Sequence, residues 1–364
     1  MIAAYIDRIK RATTRLRQIN QESGKGNLRI LKDYYSLHRK IQISLFEYFK
    51  FEFEKQPEKF RSTFLSSQNK RKFLEILNPR KYYILARNKY ITHLFLESAG
   101  ITKPVLYCYY DPLCRIENNS IGNDYNSILN ILKVKNINMC IIKPTESTHG
   151  KGVLLIKSID YKNNSCHLYN FNGEVIELSD LLKNESLIFE SVIEQTEQFK
   201  KFNSSSVNTI RFLTILLPSG EAKVISTVLK IGRQGSCIDN ARNGGNVDAE
   251  VESETGKIHS AIQFNGWRQI SPITNHPDTG TLLEGVIIEN WHDIKNRVLQ
   301  FQQAMPFLKA IGWDIAITDK GPVVIEINDF WDETGQLFLG KGWKQEIESG
   351  HNEWINYSKS LVND

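Results

Sequence analysis

Along the first 78 residues apolar side chains recur at helical spacing: Ile41, Leu45, Tyr48 and Phe49 fall on one face at i, i+4, i+7 and i+8, and Pro and Gly are sparse. Asn78 and Pro79, in "LNPRKYY", break the run. Beyond them Ile91, Leu94, Phe95 and Ala99 predict a short helix ended by Gly100, with Pro104 following. From about residue 138 the chain turns to short β-rich runs: "MCIIK", "GVLLIK", "SCHLYNF", "SLIFESVI", "TIRFLTILL" and "KVISTVLKI". Helical spacing returns at Ile294, Val298, Phe301 and Met305, after Trp291, and "WKQEIESGHNEWINYSKSL" predicts a closing surface helix. Tight turns at "PSG" (Pro218 to Gly220) and "DKGP" (Asp319 to Pro322) imply antiparallel hairpins, so the class is α+β rather than a doubly wound parallel sheet. This divides the chain into residues 1–78, 79–137, 138–342 and 343–364.

Charge sharpens the first boundary. The net charge is +5, but residues 1–81 hold 19 Lys or Arg against 8 Asp or Glu, leaving the remainder at −6. Such a basic helical stretch is either a solvated face or a contact for an anionic partner: a nucleotide- or lipid-linked sugar, or a membrane surface. No nucleic-acid recognition motif accompanies it, so nucleic acid is not expected as a partner. No uncharged apolar run is long enough to span a bilayer, and Asp7 and Arg8 interrupt the opening before a signal-like core forms, which predicts a cytoplasmic protein. The five cysteines, Cys108, Cys114, Cys140, Cys166 and Cys237, are scattered without a C-x-x-C pair and read as reduced filler.

The stretch "GWDIAITDKGPVVIEIND" (residues 312–329) carries the strongest chemical signal. With a turn centred near Lys320, Asp314 faces Glu326 across the hairpin, and opposed side chains on one face lie about 5 Å apart. Asn328 points the same way, while Trp313, Ile315, Val323, Ile325 and Ile327 take the packing face. Two like charges opposed on one face require a counter-ion. A hard divalent cation such as Mg²⁺, held by carboxylate and amide oxygens, would supply it; a polar hairpin face in solvent is the alternative.

Four further stretches could serve an anion or nucleotide by composition, the first and last being otherwise a flexible hairpin tip and a mobile surface loop. In "CIIKPTESTHGKGVLLI", Lys143 ends a strand and the loop of residues 145–152 carries Thr145, Ser147, Thr148, Gly150 and Gly152, a set able to cradle a polyphosphate. The G-K-[ST] ending of a Walker loop is absent. In "SLIFESVIEQTEQF", Glu190 ends an apolar run and Ser191, Val192 and Ile193 could offer backbone groups to a purine edge, with Glu197 seven residues on. Arg211 lies mid-strand in "TIRFLTIL", where an unpaired guanidinium would be costly, so it needs an anionic partner: a phosphate, or a carboxylate in a structural ion pair. "LKIGRQGSCIDNARNGGNV" sets Lys230, Arg233 and Arg242 among glycines, with Asp239 and Asn240 between.

In this order the segments resemble the ATP-grasp superfamily, and more closely its sugar-transfer-associated branch, over roughly residues 80–330. The carrying stretches are "IIKPTESTHGKGV", "SVNTIRFLT", "GRQGSCIDNARNGG", "NHPDTGTLLEG" and "IGWDIAITDKGPVVIEIN". The resemblance implies two α+β lobes clasping ATP, residues 79–137 forming the N-terminal lobe and 138–342 the nucleotide-binding and catalytic lobes, behind a basic helical extension. It implies Mg²⁺ held by Asp314, Glu326 and Asn328, phosphate contacts from Lys143 and the loop, adenine framed by Glu190 and Val192, and ribose bound by Glu197. Arg211 and Asn240 would steady the transferred phosphoryl group, with Arg233 beside them. "ARNKYITHLFLESAGITKP" resembles the helix that supplies an ATP-contacting lysine, here Lys89, while a second lysine of some relatives falls near His93. The implied activity is ADP-forming carboxylate–amine ligation through an acyl phosphate, tailoring a cell-surface polysaccharide precursor. Its partners would be a sugar acid, free or nucleotide- or lipid-linked, and an amine, with a glycosyltransferase or the inner membrane face meeting the basic extension. A phosphotransferase acting on a sugar and a non-catalytic nucleotide-binding partner of a glycosyltransferase are the alternatives.

Overall fold

The computed structural model describes every residue except 1, 115–117, 119, 148, 149, 163, 164, 184, 236–245, 265–269, 338, 339, 341 and 364. The N-terminal pattern yields helices at Ile2–Ser23, Asn27–Ile41, Leu45–Lys50, Glu58–Thr63 and Ser67–Leu77. The single face expected for Ile41, Leu45, Tyr48 and Phe49 is split between two of them. Gln42 takes a left-handed φ of 54°, and Ser44 starts a new helix through a reciprocal capping box with Glu47. Ile41, Tyr48 and Phe49 are still buried, joined by Phe51, Phe53, Phe60 and Phe64 in an aromatic core of their own. Among the described residues no helix is long and apolar enough to cross a membrane.

Among the described residues two seven-stranded sheets follow. In the first, Leu106–Tyr110 pairs with Leu187–Glu190, which pairs with Cys140–Pro144, which pairs in turn with Leu154–Lys162. The second places Gly321–Asn328, Ala310–Thr318, Thr209–Leu216, Ala222–Ile231 and Val247–Val251 side by side. Among the described strand pairs all are antiparallel save Leu106–Tyr110 with Ile121–Gly122, the arrangement that the turn signals imply. The helix Trp291–Ala304 covers the apolar face of the second sheet. Trp291, Ile294, Val298 and Phe301 are buried there with Trp313 and Ile315, and Trp291 stacks on Phe212 with ring centroids 5.4 Å apart.

The closing helix Lys344–Asn363 is more than the surface element expected. Trp343, Ile347 and His351 are buried, and a side chain at Gly350 would meet Ile215 Cδ1 at 2.3 Å. The physical reason is a shared core: Trp343 and Ile347 pack with Leu65, Phe73, Leu74 and Leu77, uniting the two ends of the chain against the second sheet. Asn78, the residue that breaks the helical run, is fully buried. Its amide donates to the carbonyls of Ala310 (2.7 Å) and Asp329 (2.9 Å) and accepts from the Ala310 N–H (3.0 Å). Asn78 therefore ties together the two ends of the hairpin that carries Asp314 and Glu326. Nearby, buried Lys70 pairs with Glu333 and lies 3.9 Å from the centre of the Phe330 ring.

Candidate nucleotide and metal site

The hairpin reaches the expected register by a different route. Its turn is the two residues Asp319 and Lys320, with Thr318 opposite Gly321, and Ile315 opposite Val324. Continued without interruption, that pairing would set Asp314 against Ile325. A bulge absorbs Ile325, so Asp314 meets Glu326 and Gly312 meets Asn328. Ile325 is accordingly half-exposed rather than packed, which corrects its expected place on the core face, whereas Trp313, Ile315, Val323 and Ile327 are buried. Asn328 Nδ2 donates to the Gly312 carbonyl at 3.4 Å. Arg87 holds Asp329 through a fork of 2.7 and 3.2 Å, fixing the chain directly after Asn328.

One row of side chains crosses four strands: Val228, Arg211, Asp314 and Glu326. Arg211 grips Asp314 with two guanidinium hydrogen bonds, one of them 2.7 Å, and Lys230 approaches the same carboxylate at 3.7 Å. Asp314 thus supplies Arg211 with a carboxylate partner. Burial pushes the Asp314 carboxyl up, but Arg211 and Lys230 outweigh it and hold the group below the usual carboxylate range. Glu326 behaves oppositely. Burial raises it, the charge of Asp314 raises it further, and Lys89, Arg211 and Lys230 offset this only in part. Two facing carboxylates beside an amide, one of them short of positive charge, make an oxygen donor set that fits Mg²⁺.

On the other sheet Lys143 and His93 converge on Glu190, which is 2% exposed. His93 Nε2 lies 2.8 Å from Glu190 Oε2, and its second ring nitrogen, Nδ1, is buried without a hydrogen-bond partner. Burial opposes ionisation of Glu190, yet Lys143 and His93 together keep it below the usual range. Glu190 is therefore the buried counter-ion of Lys143; a charge so enclosed stays inside only when paired. Lys89 links the two clusters. Burial pulls its pKa down, Glu326 on one sheet and Glu190 on the other pull it up, and its ammonium donates to the Ser147 carbonyl at 2.7 Å.

The loop of residues 145–152 starts and ends under constraint. Thr145 is buried; its carbonyl accepts from Lys89 N–H and its own N–H donates to Ser186 O, both at 2.9 Å. Its backbone anchors the loop between the helix Lys89–Ser98 and Ser186. Ser147 is half-buried beside Lys89. Gly150 and Gly152 take φ of 71° and 76°, and a side chain at Gly152 would lie 2.8 Å from Pro144 Cγ, so both positions favour glycine. Thr148 and Asn240 lie outside the described residues.

Other expected residues stand apart. Arg233 is committed to Asp278 at 2.6 and 2.7 Å, and Gln234 N–H also donates to that carboxylate at 2.7 Å; the pair holds Asp278 down at about 2 and closes the base of the basic loop. Glu197 opens the short helix Glu197–Phe202 in an exposed position and pairs with Lys200 at 2.7 Å. Val192 is half-buried in the extended segment after Glu190. Within the helix Lys89–Ser98, Thr92, His93 and Leu96 are buried while Leu94 is exposed, so its inner face is turned from the one expected. Arg87, Asn78 and the His93 contact had no assigned role from sequence, and Lys230 stood only as one cation of the basic Gly-rich stretch. Lys230 was detectable as a lone cation closing an apolar strand, whereas Asn78 looked only like a breaker.

No curated protein matches the chain. Among solved structures it is similar to an ADP complex of N5-carboxyaminoimidazole ribonucleotide synthetase (11% identity, 70% of this chain and 50% of that one, TM-score 0.38). It is also similar to D-alanine–D-alanine ligase from Bacillus anthracis (13%, 76% and 69%, 0.39) and to a D-Ala:D-Ser ligase from Enterococcus faecalis (12%, 74% and 62%, 0.41). The chain thus spans about half the length of the first of these. The family model described as sugar-transfer associated ATP-grasp matches residues 68–351, more than three quarters of the chain, beginning inside the stretch read as a helical extension. It covers Lys89, Lys143, Glu190, Arg211, Asp314, Glu326 and Asn328 together, and the chain belongs to the sugar-transfer associated ATP-grasp family.

Proposed function

We propose that this chain is an ATP-dependent, ADP-forming carboxylate–amine ligase that tailors a cell-surface polysaccharide precursor by forming an amide on a sugar acid. One observation carries the reading: the Lys89 ammonium donates to the Ser147 carbonyl at 2.7 Å, in the loop that follows Lys143, and lies near enough to feel the charges of Glu326 on one sheet and of Lys143 and Glu190 on the other. A triphosphate would lie there, with Lys143 and Lys89 on its oxygens and the loop of residues 145–152 over it. Asp314, Glu326 and Asn328 would hold Mg²⁺, which neutralises phosphate charge when bound. Arg211, already oriented by Asp314, would face the phosphoryl group in flight. Phosphoryl transfer needs positioning and charge neutralisation more than a protein nucleophile, which matches a site built of ion pairs. The γ-phosphoryl would pass to a carboxylate oxygen of the sugar acid, and an amine would then displace phosphate from the acyl phosphate. Closure of the loop would keep water from that intermediate.

The test is mass spectrometry of reactions containing ATP, Mg²⁺, a panel of uronic and other sugar acids, and pooled amino acids. An amide product together with ADP and phosphate is expected. Release of ADP with an acid but no amide across the amine panel would replace the ligase with a phosphotransferase. Nucleotide binding without release of ADP under any of these conditions would leave the non-catalytic nucleotide-binding partner.

A further inference from the structure

The helix Asn27–Ile41 turns Ile30, Leu37 and Ile41 inward. Opposite them Leu28, Lys32, Tyr35 and Arg39 follow at i, i+4, i+7 and i+11 and form one outward row. All four are exposed, Leu28 at 77% and Tyr35 at 61%, and Arg29, Leu31 and Lys40 are exposed beside them. The one acid of the helix is withdrawn from this face: Asp33 accepts from the Tyr48 hydroxyl at 2.6 Å and pairs with Arg61. The outward face therefore combines apolar side chains with cations and presents no carboxylate of its own helix.

The combination selects among partners. Leu28, Leu31 and Tyr35 lie together on this face at i, i+3 and i+7 rather than scattered singly, and a nucleic acid or acidic glycan would use the cations but leave the leucines in water. An anionic bilayer uses both, because its headgroups attract Lys and Arg, its acyl boundary accepts Leu, and Tyr sits well at headgroup level. We propose that this face of Asn27–Ile41 docks flat on an anionic lipid surface. The inference uses none of the residues assigned to the nucleotide site, so it stands or falls separately from the ligase reading.

The experiment is sedimentation of the full chain with vesicles of phosphatidylcholine alone and with phosphatidylglycerol added, over a range of salt. Binding to the anionic vesicles only, weakening as salt rises, is expected. Reversing Arg29→Glu, Lys32→Glu, Arg39→Glu and Lys40→Glu together should lower partitioning by at least about tenfold. Leu28→Ser with Leu31→Ser, which keeps every charge, should lower it severalfold while nucleotide binding stays unchanged. The proposal is overturned by no sedimentation, by equal binding to neutral vesicles, or by a leucine pair that can be removed without effect. Heparin or duplex DNA bound as well as the vesicles would likewise show a surface that reads charge alone.

Discussion

Glu190 and Glu326 look toward Lys89 from opposite sheets, yet their environments drive them in opposite directions. Glu190 sits between Lys143 and His93 and is held in the ionised form, whereas Glu326 faces Asp314, whose own cations are already engaged, and is pushed toward the protonated form. One cluster thus sets a single buried acid between Lys143 and His93, and the other sets two acids beside Arg211 and Lys230, both of which lie on Asp314. The first arrangement suits an incoming anion, since Lys143 can turn to phosphate while His93 remains with Glu190. The second suits an incoming metal ion. A triphosphate carrying its cation would complete both.

The strongest way to break this contrast is Asp314→Asn or Glu326→Gln. Either should lower Mg²⁺-ATP turnover by roughly 100-fold or more, measured as steady-state ADP release with circular dichroism to confirm the fold; unchanged turnover would remove the metal assignment. The two variants should separate in thermal unfolding without Mg²⁺. Asp314→Asn leaves Arg211 and Lys230 facing a lost partner and should cost about 3–5 kcal/mol. Glu326→Gln removes an acid that its surroundings disfavour, so it should be neutral or stabilising. Equal losses in both would mean that the two carboxylates are not electrostatically distinct.

Next in size, Lys143→Ala should weaken ATP binding roughly 10- to 100-fold by calorimetry, the worth of a charge-assisted contact. If Lys143 never leaves Glu190, the affinity will stay as it was. The pH dependence of stability sharpens the same point. Because the folded pKa of Glu190 lies below its ordinary value of 4.5, the stabilisation it confers is complete above that value and is lost as pH falls through it toward the folded pKa. Glu190→Gln should be less stable than the parent at neutral pH by about 1–3 kcal/mol, with the gap narrowing as the solution is acidified. A gap that widens in acid would reverse the assignment. The smallest effect is expected from Gly152→Ala, where a positive φ and the contact with Pro144 should cost about 1–2 kcal/mol and raise KM for ATP more than it lowers kcat.

Local patterns identified much of this. The acids of the hairpin, the lysine ending Cys140–Pro144 and the mid-strand Arg211 were visible because each is a charge set in an apolar run, and alternation tells which face it takes. The pairing of Asp314 with Glu326 was reached from a turn placed at Lys320, and holds only because Ile325 bulges. A bulge of one residue leaves no trace in alternation when its neighbours Val323, Val324 and Ile327 are all apolar. For the same reason, helical spacing predicted one face for Ile41 through Phe49, since burial alone does not reveal the left-handed Gln42 that divides them.

By itself, the order of residues determined the α+β class, the antiparallel hairpins, the basic front and the kinds of group able to bind an anion and a cation. These follow from neighbours within a few positions, where the periods of helix and strand and the cost of isolated charge operate. Only the folded chain decided which charge meets which. Arg211 took Asp314, 103 positions away; Glu190 took His93, 97 away; and Asn78 reached Ala310, 232 away. Electrostatic pairing depends on distance in space and on exclusion of water, and neither quantity is encoded in separation along the chain.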